Sequence, residues 1–111
     1  MRATPLFMVK KEVFEWIKTG PKTIELRKGK AKAGDQAVFQ CGRNILRGKV
    51  IDKCEGNLAT LMHSLNFREI IPTANAIQEA TAYIKKIYGT TDGIFTAYRF
   101  HIIKEKHENK D

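Results

Sequence analysis

The chain has 111 residues, with 20 Lys and Arg against 12 Asp and Glu and a net charge of +8. That length fits one domain able to bury a core without a metal or disulfide staple, and an apolar fraction of 42% excludes a disordered chain. The positive excess favours an anionic partner, nucleic acid or nucleotide before a membrane surface.

Leu6-Phe7-Met8-Val9 is a short apolar run and reads as an opening strand. Lys10 to Thr19 follows as a helix, because Val13, Trp16 and Ile17 fall on one face at helical spacing. Gly20 ends it and Pro21 prevents continuation. Thr23 to Lys28 alternates: Ile24 and Leu26 point one way, Thr23, Glu25 and Arg27 the other, which is the pattern of a half-buried strand. Lys28 to Gly34 is a basic turn. Gln36 to Cys41 is the next strand, and Cys41-Gly42-Arg43-Asn44 turns it into a hairpin.

Ile45 to Lys53 reads as a further strand, with Leu46, Gly48 and Val50 on one face and Arg47, Lys49 and Lys53 on the other. Asn57 caps a short helix reaching His63 or Leu65. Phe67 to Pro72 is expected to be irregular, with Ile70 and Ile71 buried. Thr73 or Asn75 caps a stronger helix, in which Ile77, Ala80, Ile84 and Ile87 recur at helical spacing until Gly89. After a turn at residues 90–93, Ile94 to Ile103 forms a long aromatic-rich strand. The order β-α-β-β-β-α-α-β implies an α+β fold with a curled or barrel-like sheet of about five strands. Residues 1–103 form the domain, and the polar stretch 104–111 a frayed tail.

Cys41 and Cys54 lie in no C-x-x-C pair, and His63, His101 and His107 have no zinc-ligand spacing, so no metal or cofactor is expected. Both thiols read as small apolar fillers. No apolar run approaches the ~20 residues of a membrane span, and the first nine residues are too interrupted for a signal peptide. A cytoplasmic protein is expected. Abundant Ile and Lys with scarce Gln lean toward a heat-adapted source.

The segment Gly20-Pro21-Lys22-Thr23-Ile24-Glu25-Leu26-Arg27 carries the chemistry. Strand spacing sets Glu25 and Arg27 about 6–7 Å apart on one face. Lys22 and the Thr23 hydroxyl stand at the mouth of the same strand. A guanidinium fork suits phosphate or base edges, lysine is a mobile point charge, and a carboxylate accepts from exocyclic amines. The alternative is a solvated surface pair of little consequence.

Gly20-x-Lys22-x-x-x-x-Arg27 resembles the signature of the ASCH domain family, within the PUA-like superfamily. Gly34-Asp35 opening a strand and Ile-Tyr-Gly closing the late helix are similar to that family as well, so the resemblance spans about residues 5–103. It implies a PUA-like curled β-barrel with helices closing one side, in a small stand-alone protein of archaeal or thermophilic type. A cleft beneath the motif is then expected to bind RNA or nucleotides through Lys22, Thr23, Glu25 and Arg27, with Lys28, Lys30, Arg47 and Lys49 adding sequence-independent attraction. A protein partner on the same charged face is a further possibility.

Some members of the family are hydrolases of RNA or of acetylated cytidine. The resemblance to that branch gives Lys22 a catalytic role. It puts Glu25 where the branch has threonine, and the downstream glutamate near Thr73, with Glu69 and Glu79 displaced from it. Lys22 and Glu25 are therefore the candidate catalytic residues if the protein is an enzyme, a question the sequence leaves open.

Overall fold

The structure, a computed structural model, describes residues 4–103, so the polar stretch 104–111 lies outside the described residues. Its elements are β1 (Leu6–Met8), α1 (Lys11–Thr19), β2 (Ile24–Lys28), β3 (Gln36–Cys41), β4 (Asn44–Gly56), α2 (Leu58–Leu61), α3 (Phe67–Ile70), α4 (Ile77–Tyr88) and β5 (Phe95–Ile102). The strands form one curled sheet in the order β1-β3-β4-β5-β2. Only β1 and β3 pair in parallel; the other pairs are antiparallel. The α+β architecture with five strands agrees with the sequence reading.

Two apolar clusters fill the two sides of the sheet. Phe7, Phe39, Tyr98 and Phe100 line the concave side, where α1 adds Val13 and Ile17. Their rings meet in tilted pairs, with Phe39 and Phe100 centroids 4.7 Å apart and Phe7 and Tyr98 5.0 Å apart. On the other side, Ile24, Leu26 and Phe95 pack against α2, α3 and α4. Trp16 touches both clusters.

Glycine does the expected work after α1. Gly20 takes a left-handed backbone with φ of +108°, and its N–H returns to the Trp16 carbonyl. Asn57 caps α2 as expected, its Oδ1 accepting from the Thr60 N–H at 2.9 Å. Several features depart from the sequence reading. Phe67 to Pro72 contains a helical turn, α3, because Asn66 and the apolar pair Phe67 and Ile70 fold it onto the core. Neither Thr73 nor Asn75 caps α4; Ala76 stands at the cap, and the Glu79 carboxylate accepts from the Asn75 N–H at 2.7 Å instead. Cys54 is exposed rather than a core filler, and Cys41 and Cys54 are both free thiols.

The largest departure lies in β4, which continues to Gly56 and carries a bulge between Val50 and Asp52. One extra residue reverses the alternation beyond it. Lys53 therefore leaves the face of Arg47 and Lys49 and pairs with Tyr98 on the concave side. There its Nζ donates to the Lys32 carbonyl. The basic turn between β2 and β3 is held down by this bond, by the Lys32 N–H donating to the Tyr98 hydroxyl and by the Thr96 hydroxyl donating to the Gly29 carbonyl.

Gly48 sits where β4 passes the aromatic cluster. A β-carbon there would come within 3.3 Å of the Phe39 ring and the His101 carbonyl. Gly48→Val is expected to force Phe39 and Phe100 apart and cost ~1–3 kcal/mol. Urea unfolding monitored by circular dichroism checks this, with the midpoint lowered at an unchanged slope.

Candidate nucleotide-binding site

β2 brings Glu25 and Arg27 to the concave side, opposite Tyr98 and Thr96 of β5. Glu25 is only 5% exposed and Lys22 only 4%. Lys22 arrives from the chain that leaves α1. Its Nζ donates to the Ile24 carbonyl at 2.8 Å and the Ile70 carbonyl at 2.6 Å, and lies 3.4 Å from Glu25 Oε1. The other carboxylate oxygen, Oε2, accepts from Arg27 Nε at 2.6 Å. Arg27 also donates through Nη2 to the Met8 carbonyl at 2.9 Å, and its guanidinium lies 4.7 Å from the centre of the Phe7 ring. The two cations thus share one carboxylate, with one of them on either side of it.

A cavity of ≈ 130 Å³ opens beside this triad, walled by Val9, Val13, Ile71, Tyr83, Ile84 and Tyr88 among others. A cavity of ~150 Å³ accepts benzene, so this one holds a single ring and is smaller than the pockets of ~300 Å³ or more typical of whole ligands. Tyr88 is fixed by donating to the Leu26 carbonyl at 2.9 Å. Burial pushes its phenol up to about 12. Tyr83 stands at the rim, its hydroxyl donating to Glu12, with Lys10 Nζ 5.6 Å from its ring centre. Burial and then Glu12 raise its pKa as well.

The other residues singled out in the sequence lie elsewhere. Thr23 turns from the cavity and donates to Glu69 Oε1 at 2.7 Å, an oxygen that also receives Arg99 Nη1 at 2.8 Å. Those two bonds hold the Glu69 carboxyl below its ordinary range. Lys28 points to the opposite face, where its Nζ donates to the Asp92 carbonyl and sits over Phe95. Lys30 is exposed on the basic turn, and Arg47 and Lys49 are exposed on the outer face of β4. Glu69 and Glu79 are both engaged away from the cavity, and Thr73 is exposed. Glu25 is the only carboxylate among the described residues that line the cavity.

Sequence reading did not find Tyr83, Tyr88 or the Met8 carbonyl. The tyrosines were detectable in principle, since Tyr88 continues the Ile77, Ala80, Ile84 stripe and Tyr83 borders it. The Met8 carbonyl carries no side-chain signal and depends on how the sheet curls.

Neither a protein-family model nor a curated protein matches the sequence. Solved structures do match it in shape. The ASCH protein of Zymomonas mobilis overlays with a TM-score of 0.62 at 22% identity, over 86% of this chain and 65% of its own length. The fold is that of an ASCH domain. The hypothetical protein PH0355, from a thermophilic archaeon, overlays with a TM-score of 0.73 at 16% identity, over 91% of this chain and all of its own. The likeness at these identities is one of fold, and the present chain spans about two thirds of the Zymomonas protein.

Burial lowers the Lys22 pKa from 10.5; Glu25 opposes the shift and Arg27 adds to it. Between that depressed value and 10.5 the unfolded chain binds the extra proton, so stability rises with pH across this window. Lys22→Met is expected to flatten that slope. Melts are best compared below pH 10.0, the ordinary tyrosine value, because Tyr88 imposes the opposite slope above it. Glu25→Ala leaves a buried lysine beside an arginine with no carboxylate and is expected to cost ~3–5 kcal/mol by chemical unfolding.

Proposed function

We propose that this ASCH domain binds RNA or a nucleotide, taking one ring of a base into the cavity beside the triad. The observation that carries this reading is the pairing of a ring-sized cavity with Glu25 and Arg27 at its polar end and Tyr83 and Tyr88 in its walls. Arg27 is the ligand-facing cation: its side chain is 27% exposed, and a guanidinium has five N–H donors, of which Nε and one on Nη2 are engaged. Glu25 is the acceptor for an amine of the base. Lys22 acts at one remove. Its three protons face two carbonyls and a carboxylate, so it sets the position and charge of Glu25 instead of reaching a phosphate. Lys30 adds attraction along the basic turn, and the +8 charge favours encounter with a polyanion.

A second reading rests on the lowered pKa of Lys22. A lysine that loses its proton more readily can serve as a base, which suits a small hydrolase acting on RNA or on an N-acylated cytidine. Two facts weigh against it. Lys22 already uses its donors on main-chain carbonyls, and no second carboxylate among the described residues lines the cavity. The binding reading asks for neither a free amine nor a second acid.

Fluorescence anisotropy with a labelled single-stranded RNA tests the proposal. Affinity is expected to fall steeply between about 50 and 200 mM salt. At fixed salt, Arg27→Ala should weaken binding tenfold or more, as the loss of a charge-assisted bond worth ~1.5–3 kcal/mol implies. Arg27→Lys keeps the charge and loses the fork, and should bind weakly too. Unchanged affinity in both folded variants would sink the proposal. Turnover of RNA or acylated cytidines that vanishes in Lys22→Met would establish the second reading in its place.

A further inference from the structure

The outer side of the sheet carries a patch that no helix of the described residues covers. Register sets Leu6, Val38 and Arg47 side by side across β1, β3 and β4. The next row is Met8, Gln40 and Ile45, and a third is Gln36, Lys49 and His101. Ile103 joins the Arg47 row, its N–H donating to the Arg47 carbonyl. Leu6, Met8 and Ile45 are 50%, 58% and 51% exposed. None of the four described helices lies here: α1 packs on the concave aromatic cluster, and α2, α3 and α4 pack around Ile24, Leu26 and Phe95. Large aliphatic side chains grouped on one exposed face and rimmed by charge mark an interaction surface.

The chemistry of the patch selects its occupant. Single-stranded nucleic acid needs aromatic side chains for base stacking. The large rings Phe7, Phe39, Tyr98 and Phe100 all point to the concave side, and the one ring in these rows is His101 beside Lys49, so the face offers no series of stacking platforms. A second copy would set Arg47 and Lys49 near their own equivalents in a chain already at +8. An apolar surface flanked by carboxylates satisfies both the aliphatics and the cations. A helix is one of the elements that closes an apolar sheet face. Two strand spacings of ~4.8 Å across β1, β3 and β4 span about 10 Å, which a helix of about two to three turns covers.

We infer that this face docks an acidic amphipathic helix of a partner protein. Its apolar stripe rests on Leu6, Val38 and Ile45, and its carboxylates meet Arg47 and Lys49. This site meets the cavity only at Met8, whose carbonyl accepts from Arg27, and gives the two β4 cations a role other than RNA contact.

The test is a titration of isotope-labelled full-length protein followed by amide NMR. The probes are a synthetic three-turn helix with a Leu stripe flanked by Glu, the same peptide with Lys in place of Glu, and a short RNA. The Glu peptide is expected to shift the amides of Leu6, Val38, Ile45 and Lys49, and the Lys peptide to leave them in place. The double variant Arg47→Gln, Lys49→Gln should weaken the Glu peptide tenfold or more, RNA should leave these amides in place, and Ile45→Glu should weaken the Glu peptide as well. The inference is overturned if the Glu peptide shifts none of these amides. It is equally overturned if RNA shifts them and loses affinity in the double variant, or if sedimentation shows a dimer that Ile45→Glu dissociates.

Discussion

The Glu25 carboxylate, held between Lys22 and Arg27, joins parts of the molecule that no backbone ladder joins. β1 and β2 are the two edges of the sheet. Through Arg27, β2 reaches the Met8 carbonyl of β1, so a side-chain fork spans the opening that the strands leave. Through Lys22, the same carboxylate is tied to the Ile70 carbonyl of α3 and hence to the helical layer. Open sheet edges invite unwanted pairing, and here one edge carbonyl is occupied by a guanidinium. Burying such charges is costly unless every proton and lone pair finds a partner. In this triad three main-chain carbonyls, those of Ile24, Ile70 and Met8, supply the acceptors that one carboxylate cannot.

That arrangement also fixes what the cavity offers a ligand. With both cations charged, the triad carries one net positive charge in a space with mostly apolar walls. With Lys22 neutral it carries none, and the amine can then satisfy only two of its three acceptors. An anionic or electron-rich group at the mouth favours the ammonium and raises the Lys22 pKa toward its ordinary value. By linkage, such a group binds more tightly where Lys22 is protonated. The depressed pKa is therefore compatible with binding as readily as with catalysis, and what separates the two is the absence of a free acceptor for the lysine proton.

Much of the fold was legible because local signals and tertiary packing agree. Alternation over Thr23 to Lys28 placed Glu25 and Arg27 together and Ile24 and Leu26 apart from them, as the register with β5 bears out. Gly20 ended α1 for the stated stereochemical reason. The readings that failed depended on non-local facts. Period-two alternation cannot foresee an extra residue, so the bulge before Asp52 reversed Lys53. Thr23 has the parity of Glu25, yet it stands just before β2, where Glu69 of α3 captures its hydroxyl. The short helix α3 is too brief for periodicity and exists because Phe67 and Ile70 find the core. The resemblance to the ASCH family rests on a short motif, of which Lys22 and Arg27 belong to the triad, and the Arg27 bond to the Met8 carbonyl joins β2 to β1 across the curled sheet.

Net charge, finally, is a sum that conceals its distribution. Several cations behind the +8 are occupied within the fold. Lys53 holds the basic turn through Lys32, Lys28 holds the α4–β5 turn through Asp92, and Arg68 donates to the carbonyls of Ala74 and Asn75. Arg99 is paired with Glu69. Lysine and arginine suit such work because they bring donors to loop carbonyls that no strand or helix satisfies. What remains for partners is then a matter of position. Arg27 stands at the mouth of a cavity with tyrosines in its walls, whereas Arg47 and Lys49 lie beside exposed aliphatics, with His101 the one ring in register with them. The same residue types therefore face different chemistry on the two sides of one sheet, and the neighbours, not the charge, decide which kind of partner each side can hold.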